Sequence, residues 1–179
     1  INGVELDTVN ETVQAIRRDS DLSKCNFHVV NHWISGGHNH VSIQDFYGAR
    51  QEIPHSQVFE LDEDELALLA GTDVGPNPVE YLLTALSGCM TSAMVYHAAL
   101  RGIHINALEC RVEGDIDLQG FLGIADGVRK GYQNIRVAFK IDTDENSLQR
   151  LKALSKMSPV YDTVLNGTNI DIAIERKQP

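Results

Sequence analysis

The stretch Gly75–Gly102 (GPNPVEYLLTALSGCMTSAMVYHAALRG) combines the longest apolar run of the chain with a fully signed helix start and stop. Asn77 suits the cap, where its side chain accepts from the first free backbone N–H groups. Pro78 suits the first helical position, and Glu80 at the third can reach back to the cap's own N–H. At the far end Arg101 places a cation where the helix dipole favours it, and Gly102 tolerates a left-handed turn. The spacing predicts a helix of about 24 residues, some 36 Å long. Leu82, Leu86, Cys89, Ala93, Tyr96 and Leu100 recur at intervals of three or four, which places Cys89 on an apolar stripe. Leu83, Met90, Met94 and Val95 widen it, so the helix is expected at the centre of a domain.

A chain of 179 residues has enough length for one domain with a sizeable core, residues 1–179, with 1–25 as a peripheral segment. The formal charge of −10, with no cluster of Lys and Arg, argues against nucleic acid or an anionic membrane as partner. Thr84, Ser87, Ser92 and His97 interrupt the uncharged stretch Tyr81–Leu100, so it reads as a core helix and not a membrane span. The first residues lack the pattern of a secretory signal. The three cysteines lack ligand-like spacing, which suggests reduced thiols in the cytoplasm.

Around the central helix, Asp7 is expected to cap a short helix through Val9, Val13 and Ile16 that Arg17 and Arg18 close. Phe27–Ile34 and Val41–Phe46 read as a hairpin about Gly36 and Gly37, its turn carrying His38 and His40. Val58–Leu61 adds a strand, and the acidic run Asp62–Glu65 reads as a solvated face or loop. Leu108, Cys110, Val112, Ile116 and Leu118 alternate with Glu109, Arg111, Glu113, Asp115 and Asp117, a strand with one wet face. The glycine-rich Gln119–Tyr132 is expected to form a long ordered loop. Ile135–Ile141 is a further strand, and Leu148, Leu151 and Leu154 restart a helix. Ser158 and Pro159 then open a short helix to Gly167, and Ile170, Ile172 and Ile174 form a closing strand. Strands in runs, parted by two helical blocks, give an α+β fold with mostly antiparallel sheet.

Cys89 is the first candidate for chemistry, weighed against a buried structural thiol, the commoner fate of a cysteine on an apolar stripe. Gly88 beside it favours close approach of another group, since glycine within a helix costs about 1 kcal/mol relative to alanine. Cys25 and Cys110 read as structural. Glu80 is a candidate base, although capping already accounts for it. His38 and His40, with His32 or His55, form a weak candidate metal site whose simpler reading is surface polarity; no metal or cofactor is expected. Asp45, Asp73 and Asp162 form no local pair, and no phosphate-cradling loop, nucleophile-elbow serine or dinucleotide fingerprint is present.

GPNPVEYLLTALSGC at 75–89 resembles the OsmC/Ohr family, whose members place a peroxide-reactive cysteine near the middle of a Pro-started central helix. The likeness continues through ALRGI at 99–103, EGDIDLQGFLG at 113–123 and SPVYDTV at 158–164, with WISGGHNHVSIQDF at 33–46 similar to the family's early hairpin. The resemblance implies two long central helices enclosed by sheet and an intertwined homodimer with active sites at the subunit interface. It also implies reduction of organic hydroperoxides in defence against oxidative stress, with Cys89 as nucleophile. In the family's peroxidase branches a glutamate directly follows the helix-starting proline, an arginine comes from the early hairpin, and a second cysteine precedes a late proline. Here Val79 follows Pro78, His38, Asn39 and His40 occupy the hairpin stretch, and Ser158 stands where the second cysteine is expected. A serine hydroxyl cannot condense with a sulfenic acid to a disulfide, so a redox cycle would need an external thiol or dithiol reductant. Arg50, His38 and His40 are the cations available to favour a thiolate. The alternative is a non-catalytic homodimer that binds an apolar or electrophilic small molecule at its interface.

Overall fold

The computed structural model describes residues 1–177 and begins its longest helix where the capping residues stand. Helix α2 spans Pro78–Ala99, and both halves of its capping box form. The Asn77 side chain accepts from Val79 N–H at 2.9 Å, and Glu80 Oε2 accepts from Asn77 N–H at 2.9 Å. At the other end the Arg101 guanidinium donates to the His97 carbonyl at 3.0 Å, and Gly102 turns the chain away with φ of 67°. The helix has 22 residues, two fewer than its sequence signals allow, because Leu100 and Arg101 already belong to the turn.

The strands form two antiparallel sheets. In the first, β3 (His38–Gly48) is central: β2 (Val30–Ser35) and the two-residue β1 (Asn26–Phe27) share one of its edges, and β4 (Gln51–Glu63) lies along the other. The Gly36–Gly37 turn forms as expected, but His38 and His40 lie within β3, opposite Ser35 and His32 on β2. The predicted strand Val58–Leu61 is the latter part of β4, which extends through Asp62 and Glu63. The second sheet pairs β5 (Ala107–Asp115) with β6 (Asn134–Asp142), Cys110 facing Phe139.

The remaining helices are short. α1 (Leu6–Arg18) has no buried residue. Asp7 lies inside its first turn and does not cap it; Glu5 holds the cap position without a side-chain bond. Strand β5 stops at Asp115, so Leu118 opens helix α3 (Leu118–Leu122), capped by Asp117, where the sequence suggested a strand end and then loop. The glycines there serve contact as well as bending: a Cβ on Gly120 would stand 2.4 Å from the Arg129 carbonyl oxygen. Helices α4 (Leu148–Ser155) and α5 (Pro159–Asn166) follow, and the Ser158 hydroxyl caps α5 by accepting from Tyr161 N–H at 3.0 Å.

The core lies between the second half of α2, α4 and the second sheet. Met94, Ala98, Ile103 and Leu151 are buried together, with Leu108, Phe139 and Ile141 packed against them. Along α2 the buried positions are Leu86, Met90, Met94 and Ala98, an i, i+4 row, and the adjoining Ala99. The broader stripe through Leu82, Tyr96 and Leu100 stays exposed, so within one chain α2 is covered on one side only. The closing strand expected at Ile170–Ile174 does not form; these isoleucines follow α5 unpaired, and Ile174 is 93% exposed.

Candidate functional site

Cys89 lies midway along α2, one residue before the buried Met90 and on the shoulder between covered and open faces. It is half-buried, free, and makes no hydrogen bond or ion pair among the described residues. Gly88 beside it faces open space, since a Cβ there would meet no atom within 4 Å. The close neighbour suggested by this glycine is therefore absent within the chain, and the Cys89 turn of the helix is accessible.

The other candidates go to different places. Ser158 is 1% exposed, and its hydroxyl is engaged in the cap of α5, a helix that packs on α2. Glu80 is held in the capping box, as its position three residues after Asn77 dictates. His38 Nε2 and His40 Nδ1 converge on Asp62 Oδ1 at 2.9 and 3.1 Å, and neither bonds to Cys89. Asp62 draws the His40 imidazolium above its usual range, while His38 and then His40 hold the Asp62 carboxyl below its own. Among the described residues no group of three or more His, Cys, Asp or Glu side chains is placed to hold a metal ion. Arg50 donates to Asp19 and Asp21 and so ties the β3–β4 turn to the N-terminal segment. Cys110 faces α2, where burial raises its thiol pKa against a hydrogen bond with Thr91. Cys25, expected to be structural, is exposed.

Sequence reasoning missed the network that seats the start of α2. Asp64, read as part of a solvated acidic run, is 1% exposed. It accepts from the Thr72 hydroxyl at 2.7 Å and from the backbone N–H groups of Glu65 and Thr72 at 2.8 Å each. The Thr72 hydroxyl and these amides lower its pKa to about 2. Glu65 then accepts from the Asn77 side chain at 2.6 Å, and Tyr132 donates to the Val79 carbonyl at 2.7 Å. These contacts frame a largely apolar cavity of about 360 Å³, lined by Leu66, Leu69, Val79, Ile116, Leu118 and Phe121. Thr72, eight residues after Asp64 and just before the helix signals, was the only hint: a hydroxyl able to satisfy a carboxylate across a short loop.

A Pro-started helix thus carries a free cysteine at its centre, in a fold with two antiparallel sheets. The OsmC-like protein family model matches residues 71–173, more than half of the chain. The chain belongs to the OsmC-like family. Solved structures of the same fold include an OsmC like protein from Mycoplasma pneumoniae, 19% identical with a TM-score of 0.58, covering 79% of this chain and 88% of its own. An organic hydroperoxide resistance protein OsmC from Legionella pneumophila is 15% identical with a TM-score of 0.56, covering 79% and 90%. At these identities the likeness establishes the OsmC fold. No curated protein matches the chain. Of the two long central helices that the resemblance implied, α2 is one, and the place of the second is taken by the divided block α4–α5, two helices of eight residues each; the sheets are antiparallel as expected. No helix among the described residues is long and apolar enough to cross a membrane.

Proposed function

We propose that this OsmC-like chain reduces organic hydroperoxides with Cys89 as the reacting thiol, in defence against oxidative stress. The observation that carries this reading is the position of Cys89: a free, half-buried thiol at the middle of the family's central helix, beside an apolar face that one chain leaves open. The Cys89 thiolate attacks the outer oxygen of ROOH, the O–O bond breaks, and the leaving alkoxide takes a proton to become ROH. Sγ now carries a hydroxyl as sulfenic acid. Because Ser158 cannot resolve it, an external thiol attacks Sγ, releasing water and leaving a mixed disulfide, and a second thiol then attacks the reductant's sulfur, which releases the Cys89 thiolate and the reductant as its disulfide.

The open surfaces favour a homodimer as the working form. Leu82, Tyr96 and Leu100 on α2, Phe27, Trp33 and Phe59 on the first sheet, and the alternating Ile170, Ile172 and Ile174 are all exposed in one chain. A second copy is the partner whose matching faces would cover them. Sedimentation is expected to show a dimer at micromolar concentration, and a stable monomer would defeat this part of the reading.

A second reading, binding without turnover, is favoured by the residues that stand in place of the family's other peroxidase groups and by the apolar cavity at the start of α2. Val79 occupies the position of the peroxidase glutamate, Arg50 is committed to Asp19 and Asp21, and the cavity at the start of α2 is apolar. Steady-state reduction of cumene hydroperoxide with a dithiol separates the two. Wild type is expected to turn over and Cys89→Ser to lose turnover; equal rates would remove the enzyme reading.

A further inference from the structure

Beyond the thiol chemistry, the far end of α2 holds a second concavity with a different character. It has a volume of about 520 Å³ and is lined by Arg101, His104, Asn106, Asp144, Asn146 and Arg150. Cys89 is not part of it: the twelve residues from Cys89 to Arg101 correspond to about 18 Å along the helix axis. In a protein of net charge −10, this wall carries two guanidinium groups against one carboxylate.

The charges there are unevenly committed. Both oxygens of Asp144 are occupied by Ser147, Oδ1 by its N–H at 3.1 Å and Oδ2 by its hydroxyl at 2.5 Å. Arg101 uses one terminal nitrogen on the His97 carbonyl and ring, which leaves its other N–H groups without an acceptor among the described residues. Arg150 and the His104 ring have no hydrogen-bond or ion-pair partner among the described residues.

The frame behind these side chains is fixed. The Asn2 side chain donates to the Ile103 carbonyl and accepts from Ile105 N–H, both at 2.9 Å, so it grips the backbone on either side of His104. The Thr143 hydroxyl donates to the His104 carbonyl at 2.6 Å. Arg150 precedes the fully buried Leu151, which anchors that turn of α4 in the core. Two basic side chains from separate elements therefore border one hollow on a backbone that does not need to rearrange.

We propose that this concavity binds a small, polar phosphate monoester. A phosphate monoester carries a charge of about −1.5 to −2 at neutral pH and presents three acceptor oxygens, which suits two guanidinium groups with free donors. The volume exceeds that of the phosphate alone, and the Asn146 side chain, which has no hydrogen-bond partner among the described residues, offers a partner for a hydroxylated body where an apolar chain would find none; the Asn106 amide is already held by Asp142. The site is independent of Cys89 and of hydroperoxide reduction.

Titration calorimetry with ribose 5-phosphate at low ionic strength tests this, with ribose and inorganic phosphate as comparison ligands. Saturable binding of ribose 5-phosphate is expected, tighter than that of inorganic phosphate, with none for ribose. Arg150→Gln and Arg101→Gln are each expected to weaken it roughly tenfold or more, the effect of removing a charge-assisted hydrogen-bond donor. Arg129→Gln, which lies outside this concavity, is expected to leave it unchanged. Added salt should weaken binding, as charge pairing near a surface requires. Binding that survives Arg150→Gln, the absence of saturable binding, or equal affinity for inorganic phosphate and the ester would overturn the proposal. None of these outcomes depends on Cys89, whose peroxide chemistry is read separately through Cys89→Ser.

Discussion

The two sheets follow the same pairing rules and differ in what covers them. β5 and β6 are nine residues each, and their inner faces pack against α2 and α4. β3 and β4 are longer, at 11 and 13 residues, and share one of the most extensive ladders of the molecule. Yet outside Val41 that sheet buries no hydrophobic side chain and Trp33 is 71% exposed, whereas Leu108, Phe139 and Ile141 of the second sheet are half-buried as a row against the core. A ladder satisfies backbone donors and acceptors whether or not a layer covers it. Hydrophobic stabilisation comes only from the covering. Strand length and regular register thus say little about where a chain's stability resides.

The largest test of this contrast is in the core beside the second sheet. Leu151→Ala removes a fully buried side chain and should cost about 2–5 kcal/mol in chemical unfolding, the usual range for such truncations. A loss below about 0.5 kcal/mol, typical of surface changes, would show that this sheet does not house the principal core.

The next effect is expected at Asp64, which joins the end of β4 to the approach of α2. Its folded pKa of about 2 lies below the ordinary 3.8, so the unfolded chain takes up the proton first as pH falls. The stabilisation is fully present above about pH 4 and is lost as pH falls toward 2. Asp64→Asn should therefore be less stable than wild type at pH 7, with the difference shrinking between pH 4 and pH 2. A difference that stays constant across that window would contradict the assigned pKa.

A smaller effect on folding is expected from the exposed sheet. Trp33→Ser should change the unfolding free energy of the single chain by no more than about 0.5 kcal/mol, and on the proposed homodimer it should shift sedimentation toward the monomer. Large destabilisation of the separated chain would mean that this sheet is covered within one chain after all. The smallest effect belongs to the wet face of the second sheet, where Arg136 spans Glu113 and Asp115. All three side chains are exposed, so Arg136→Gln should change stability little, and the change should disappear in high salt.

Local chemistry made α2 legible in the sequence. Asn77, Pro78 and Glu80 fix a helix start through contacts within one turn, and Ser158–Pro159 do the same for α5; both starts stand where the residues place them. The alternation of β5 and β6 was equally legible, because one face of that sheet is half-buried against the core and the other wet. Cys89 could be placed at mid-helix for the same reason, and the motif around it pointed to the OsmC-like family.

Other features depended on neighbours far away in the chain. The acidic run at 62–65 looks solvated in sequence, and only the return of Thr72 turns Asp64 into a buried, satisfied carboxylate. Ile170, Ile172 and Ile174 alternate as a strand would, but alternation supplies no partner edge, and without one they remain unpaired. Leu82, Tyr96 and Leu100 are as apolar as the row actually buried, and the approach of α4 and the second sheet decided which side of α2 was covered. Capping and pleating act over a few residues and can be read directly from the chain. Burial is a relation between surfaces, and it exists only once the tertiary structure has brought those surfaces together.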